Sequence, residues 1–241
     1  MTTAAPVLLL GSSLTAKGAA ASRAVGPWAC AGLASGAESM NVKRWACEDS
    51  VALVALDDGG LLACVADAHF GGKTAELVCQ HLLTAWGQAR AAEPAARLRE
   101  ALFLLDGRLL ERGRDDRSET TALAVHVKDR ALAWANVGDS LLLVVGREAA
   151  ALKNQPVMNF MGGRPLATLP APVEVGTATL APGDVVLLAT DGLEWQASGL
   201  DPEQVAAALR KDDPLLARVD GLLDHANRRG RDNLGLVAVA V

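Results

Sequence analysis

Tyrosine is missing from this 241-residue chain, and phenylalanine occurs three times. A core without them is filled mostly by Ala, Leu and Val. Apolar residues make up 51% of the chain and charged ones 21%, which excludes a disordered polypeptide and fits a globular one that buries a sizeable core. The four cysteines, at 30, 47, 64 and 79, form no Cys-x-x-Cys pair, so neither a zinc site nor a redox motif is suggested. Cys64 and Cys79 lie inside apolar runs and read as small buried hydrophobes, as a reducing cytoplasm would allow. No apolar run reaches membrane-spanning length. The N-terminal patch PVLLL has neither the basic start nor the length of a signal peptide. A net charge of -5 gives no electrostatic reason to expect nucleic acid. The expectation is a cytoplasmic protein with no membrane and no nucleic acid among its partners.

What the chain does contain is a series of short apolar runs. Residues 1–27 are rich in Ala, Ser, Thr and Gly without a sustained period, and read as a leader partly ordered against the rest. No repeat and no polar linker divides 28–241, which reads as one domain. SVALVALDD and LLACVAD flank the turn DDGG, a hairpin signal. Helices follow over roughly 72–90 and 94–113. TTALAVHV, ALAWANV and SLLLVVG are strands. VEVGTATL and DVVLLAT are expected to pair across APGD. DPEQVAAALRKDD and PLLARVDGLLDHANRRG are helices, and NLGLVAVAV is the last strand. Hairpin-linked strands interrupted by helix pairs predict α+β: antiparallel sheets with helices outside.

The stretch VADAHFGGKT (Val65 to Thr74) joins a strand to a helix through a Gly-rich turn ending in Gly-Lys-Thr, the setting of a phosphate-binding loop. The pattern G-x-x-x-x-G-K-[ST] requires its first Gly at 67, where Asp67 stands. A carboxylate there opposes a phosphate, and no glycine eases the turn. Gly71 and Gly72 are read as a tight entry to the helix, and Lys73 as a solvated helix-start residue.

Asp67 belongs to a different pattern. Asp67 and Asp191 end strands; Asp139 and Asp232 immediately precede strands. Neighbouring strands of an antiparallel sheet run in opposite directions, so all four carboxylates can meet at one edge. Each alone would pass for a turn cap. Together they repel and raise one another's pKa unless a cation intervenes. An all-oxygen set suits a hard ion, Mg²⁺ or Mn²⁺.

With these residues in view, the chain resembles the metal-dependent protein Ser/Thr phosphatases, the PPM or type 2C family. VADAHFGG resembles that family's Asp-Gly-His-x-Gly block. RWACED (Arg44 to Asp49), SETTA (118–122), NVGDS, ATDGL and RDNLG resemble five further blocks in the family's order, over about residues 28–241. The resemblance implies an αββα sandwich: two central antiparallel sheets flanked by helices. It implies two Mn²⁺ or Mg²⁺ ions, with a weak third. Asp67 would bridge the two, Asp191 and Asp232 would hold one, and the Ala68 carbonyl the other. Glu48 and Asp49 would orient waters around the ions. Asp139 with Asp191 would match the third site. Arg44 would grip the substrate phosphate and His69 would act as general acid. The implied activity is hydrolysis of phosphoserine and phosphothreonine in proteins phosphorylated by a Ser/Thr kinase, by direct attack of an activated water. The chemistry suits these residue types. A guanidinium fork matches two phosphate oxygens, and an imidazolium can protonate a poor alkoxide leaving group. No nucleophilic Cys motif is needed.

Three departures bear on this expectation. Ala68 replaces the usual Gly after the bridging Asp and would be strained if that position needs φ > 0. Glu194 is the nearest carboxylate beyond ATDGL, where another Asp is usual. The segment KNQPVMNFMGGRPLATLPAP is too short for a large flap, so substrate selection would rest on other surfaces. The first two motivate an alternative, a pseudophosphatase that binds phosphoproteins or regulates a kinase without turnover. His81, His126 and His225 read as structural, satisfied or exposed. Arg228, Arg229 and Arg231 suit a helix end.

Overall fold

The structure, a computed structural model, describes residues 5–38, 43–111, 118–146, 149–151 and 159–241, with backbone alone at 149–151 and 195. The expected hairpin is there: β4 (Ser50–Ala55) and β5 (Leu61–Ala66) pair antiparallel. β8 (Ala122–Lys128), β9 (Ala131–Val137), β12 (Glu174–Thr179) and the early β1 (Val7–Leu10) complete a six-stranded sheet in the order β1-β4-β5-β8-β9-β12. A second sheet takes β2 (Ala20–Val25), β3 (Ala29–Ala34), β10 (Leu141–Val145), β11 (Ala149–Ala151), β13 (Val185–Ala189) and β14 (Leu234–Ala240), in the order β11-β10-β13-β14-β3-β2. A two-stranded ribbon, β6 (Ala68–His69) with β7 (Glu119–Thr120), stands beside them. All pairings are antiparallel.

The side-chain alternation explains the layers. Val51, Leu53, Val65, Leu123 and Val125 of the first sheet meet Leu33, Val186, Leu188, Val237 and Val239 of the second in a shared core. The intervening residues of the first sheet are small: Ala52, Cys64, Ala66, Ala124 and Ala135. They form a bed for α1 (Lys73–Gln88) and α2 (Pro94–Leu110), which supply Leu82, Leu98, Leu102 and Leu105. Each such Leu fully withdrawn from water contributes about 2 kcal/mol. On the outer face of the second sheet lie α4 (Pro202–Leu209) and α5 (Leu215–Arg229), introduced by the single turn α3 (Trp195–Ser198). The order of layers is α, β, β, α, as expected. Asp201 caps α4 through a reciprocal capping box with Gln204, and Pro202 opens the helix. The end of the second expected helix, residues 112 and 113, falls outside the described residues.

Two expectations change. VEVGTATL and DVVLLAT do not pair across APGD: β12 pairs with β9, whereas β13 lies between β10 and β14. β12 alternates between half-buried and exposed, as suits an edge, while β13 is buried throughout and needs a strand on each side. The turn therefore carries the chain from one sheet to the other. Within the segment read as a leader, β1 and β2 are edge strands of the two sheets, so pairing supplies the order that hydrophobic period does not.

All four cysteines are free and buried. Burial, then the charge of Asp220, pushes the Cys30 thiol up to about 12, which leaves it unreactive. His126, on β8, is neither exposed nor fully satisfied. Its ring stacks on Trp86 at 5.0 Å, and its buried Nε2 has no hydrogen-bond partner. Arg97 covers the other ring partner, with its guanidinium 4.4 Å from the Trp86 centroid. Burial lowers the His126 pKa; Asp58 opposes this, and Lys128 and Arg97 reinforce it. A base neutral in the fold contributes stability above its unfolded pKa of 6.5, which is lost as pH falls through the depressed folded value. Relative to His126→Gln, the wild-type urea midpoint is expected to lose ground between about pH 7 and pH 5. Equal slopes in the two proteins would remove His126 as the source.

Candidate metal-binding active site

Strand register assembles the site. Ser50 pairs with Ala66, which sets Asp49 beside Asp67 at one end of the first sheet. In the second sheet Ala189 pairs with Leu141 on one side and Leu236 on the other, so Asp191 follows a strand whose neighbours begin just after Asp139 and Asp232. The edge predicted from strand directions thus draws carboxylates from both sheets.

Asp49 is fully buried. Its Oδ2 accepts from Thr190 Oγ1 at 2.7 Å and from the Gly235 amide at 3.1 Å, while Oδ1 has no hydrogen-bond partner. Asp67 is 4% exposed, and its Oδ1 is also unpartnered. The same holds for Oδ1 of Asp191. Burial, and then the neighbouring charges of Asp67, Asp232 and Asp139, push Asp191 up to about 8. Burial likewise takes Asp49 to about 7 against the pull of Lys43, with Asp232 adding to the rise. Asp67 is raised well above the ordinary carboxylate range by burial and by Asp49. Carboxyl groups set this close resist their own ionisation, and a cation relieves them. Asp139 enters this group through its effect on Asp191.

Lys43, which sequence reasoning passed over, supplies one positive charge. Its Nζ lies 2.6 Å from Asp232 Oδ1 and 3.7 Å from Asp67 Oδ1, the latter beyond hydrogen-bonding distance. The donors present, carboxylate oxygens with free valence at buried positions, fit a hard divalent cation in kind. Among the described residues no three His, Cys, Asp or Glu side chains already close around one point.

The rest of the site surrounds this edge. Glu48 is buried, and its Oε1 accepts from the amides of Arg44 at 2.7 Å and Trp45 at 3.2 Å. That oxygen holds the loop bearing Arg44. The Arg44 guanidinium is exposed and reaches the Phe70 carbonyl at 3.5 Å. His69, on β6, faces Phe160 with ring centroids 4.7 Å apart. Phe160 and the buried Met161, which bridges to Thr120, belong to the segment read as too short for a large flap; its described part lies beside His69 and β7. Residues 153–158 of that segment fall outside the described residues. Glu194 is exposed beyond the Asp191 turn.

The strain anticipated at Ala68 is absent. The left-handed residues here are Phe70, at φ 64°, and Gly71, at φ 123°. Ala68 lies buried in β6, opposite Thr120. Ala68→Gly is expected to cost about 1 kcal/mol in a urea titration, since Gly loses more backbone freedom on folding. Mn²⁺ affinity by calorimetry should not tighten. Gly72 shows why the turn into α1 is glycine: a Cβ there would lie 2.8 Å from the Trp45 ring and 3.1 Å from Glu48 Cα. Lys73 starts the helix and is exposed, as expected.

Asn233 and Thr190 also escaped sequence reasoning, although both lie inside the quoted blocks RDNLG and ATDGL. Asn233 is fully buried. It accepts the Glu48 amide at 2.8 Å and donates to the carbonyls of Ser35 at 2.9 Å and Ala46 at 3.0 Å.

A family model described as Stage II sporulation protein E (SpoIIE) matches residues 57–241. Solved structures resemble this one closely. A bacterial serine phosphatase matches with a TM-score of 0.74 at 17% identity, over 88% of this chain and 97% of that one. Serine/threonine phosphatase Stp1 from Staphylococcus aureus gives 0.75 at 16% identity, over 88% and 94%. The catalytic domain of serine threonine protein phosphatase PstP, in complex with 2 manganese ions, gives 0.67 at 19%, over 92% and 99%. No curated protein matches the chain. The chain belongs to the SpoIIE family, and its fold is that of the bacterial PPM Ser/Thr phosphatases.

Proposed function

We propose that this protein is a cytoplasmic, metal-dependent Ser/Thr phosphatase acting on proteins phosphorylated by a Ser/Thr kinase. The observation that carries the reading is the buried edge where Asp49, Asp67 and Asp191 each keep an unpartnered oxygen. Asp67, Asp191, Asp232 and the Ala68 carbonyl would hold two Mn²⁺ or Mg²⁺ ions, with Asp139 at a weaker third position. Such ions, when bound, lower the pKa of water and offset charge on phosphoryl oxygens. Asp49 and Glu48 orient waters at the floor of the site. Arg44, exposed at the rim, offers a planar fork to two phosphate oxygens. His69 gives a proton to the departing serine or threonine oxygen. Phe160 limits the orientations its ring can take.

The binding-only alternative drew on backbone strain at Ala68, which is not present, and on Glu194 standing where another Asp is usual. Hydrolysis of a phosphothreonine peptide with Mn²⁺, with Mg²⁺ and with chelator tests the reading. Turnover that needs the metal is expected. A folded protein that releases no phosphate with Mn²⁺ anywhere from about pH 6 to 9 would overturn it.

A further inference from the structure

Lys43 bridges two carboxylates that come from opposite sheets: Asp67 follows β5 of the first, and Asp232 precedes β14 of the second. Its side chain is 14% exposed. An ammonium and a divalent cation compete for these oxygens, because two positive charges within a few ångströms repel. The backbone next to Lys43 is fixed, since Glu48 binds the amides of Arg44 and Trp45. Lys43 can therefore leave by rotating its own four-carbon stem, without unfolding the loop.

We propose that Lys43 is a built-in counter-cation, which ties Asp67 to Asp232 in the metal-free protein and must be displaced before a divalent cation binds there. This rests on the reading of Asp67 and Asp232 as metal ligands. Lys43 then weakens metal binding.

Two measurements on the full chain test the proposal. Mn²⁺ binding is followed by the electron paramagnetic resonance of the free ion, in wild type and in Lys43→Met, which keeps the length and removes the charge. The dissociation constant is expected to fall at least about tenfold in the variant, the loss of one competing charge-assisted contact. Binding of equal or lower affinity would overturn the role of Lys43 and leave the ligand assignment standing. Absence of binding in both proteins would overturn both. The second measurement needs no variant. Lysines of the wild type are acylated with and without Mn²⁺ and read by peptide mass spectrometry. Lys43 is expected to be protected in the metal-free protein and labelled once Mn²⁺ is added. Labelling that stays constant or falls on adding Mn²⁺ would overturn the displacement, whether or not Lys43→Met folds.

Discussion

Asp67→Asn is expected to lose metal-dependent phosphatase activity by about three orders of magnitude in kcat, close to 4 kcal/mol of barrier. The substitution keeps the size of the side chain and removes its charge. Asp67 is the residue on which the others converge: its charge raises Asp191, and it faces Asp49, Asp232 and Lys43. Without its carboxylate the proposed ion positions would lose one of their ligands. The fold should survive, because the group removed is one of several like charges that repel one another in the metal-free protein. Far-ultraviolet circular dichroism and the thermal midpoint without metal are expected to stay close to wild type, the relief of repulsion from Asp49 and Asp232 offsetting the lost attraction of Lys43 at 3.7 Å. Mn²⁺ stoichiometry should drop below two per chain. Retention of more than a tenth of wild-type turnover would remove Asp67 from the centre of the chemistry.

The second large effect is one of stability. Asn233→Ala is expected to cost about 3 kcal/mol or more in urea unfolding, because it leaves the Glu48 amide and the Ser35 and Ala46 carbonyls without a partner inside the protein. Asn233 also binds the loop carrying Arg44 and Glu48 to the start of β14. Activity should fall with stability, and an increase in KM should accompany it as Arg44 loses its anchor. Asn233→Asp tests the donor half alone, since the carboxylate can still accept the Glu48 amide but cannot donate to the two carbonyls. If both variants unfold at the wild-type urea concentration, the three bonds are not what holds the loop.

The order of layers and the carboxylate edge were legible in the sequence because both follow from local rules. Apolar runs of strand length, interrupted by two helical pairs, define the sandwich, and Asp residues at strand termini need only antiparallel register to meet. β3 was missed for a physical reason: ACAGLA is built from small residues with weak preference for strands, and it forms because β2 and β14 pair with it on either side. The false hairpin across APGD shows the opposite failure, a strong local turn signal whose flanking strands belong to different sheets. Lys43 could not be read at all. In the sequence it is one cation next to Arg44, and its meaning depends on two aspartates that chain proximity does not bring near. Asn233 and Thr190 were visible as letters within blocks, but the amides and carbonyls they serve belong to segments distant in sequence.

The carboxylates of this site stand on both sides of the seam between the two sheets. An ion seated among them would act as a rivet through a laminate, held by Asp67 from one sheet and Asp232 from the other. By mass action its binding would stabilise the whole fold, so the concentration of free metal would set how firmly the two halves of the molecule are fastened.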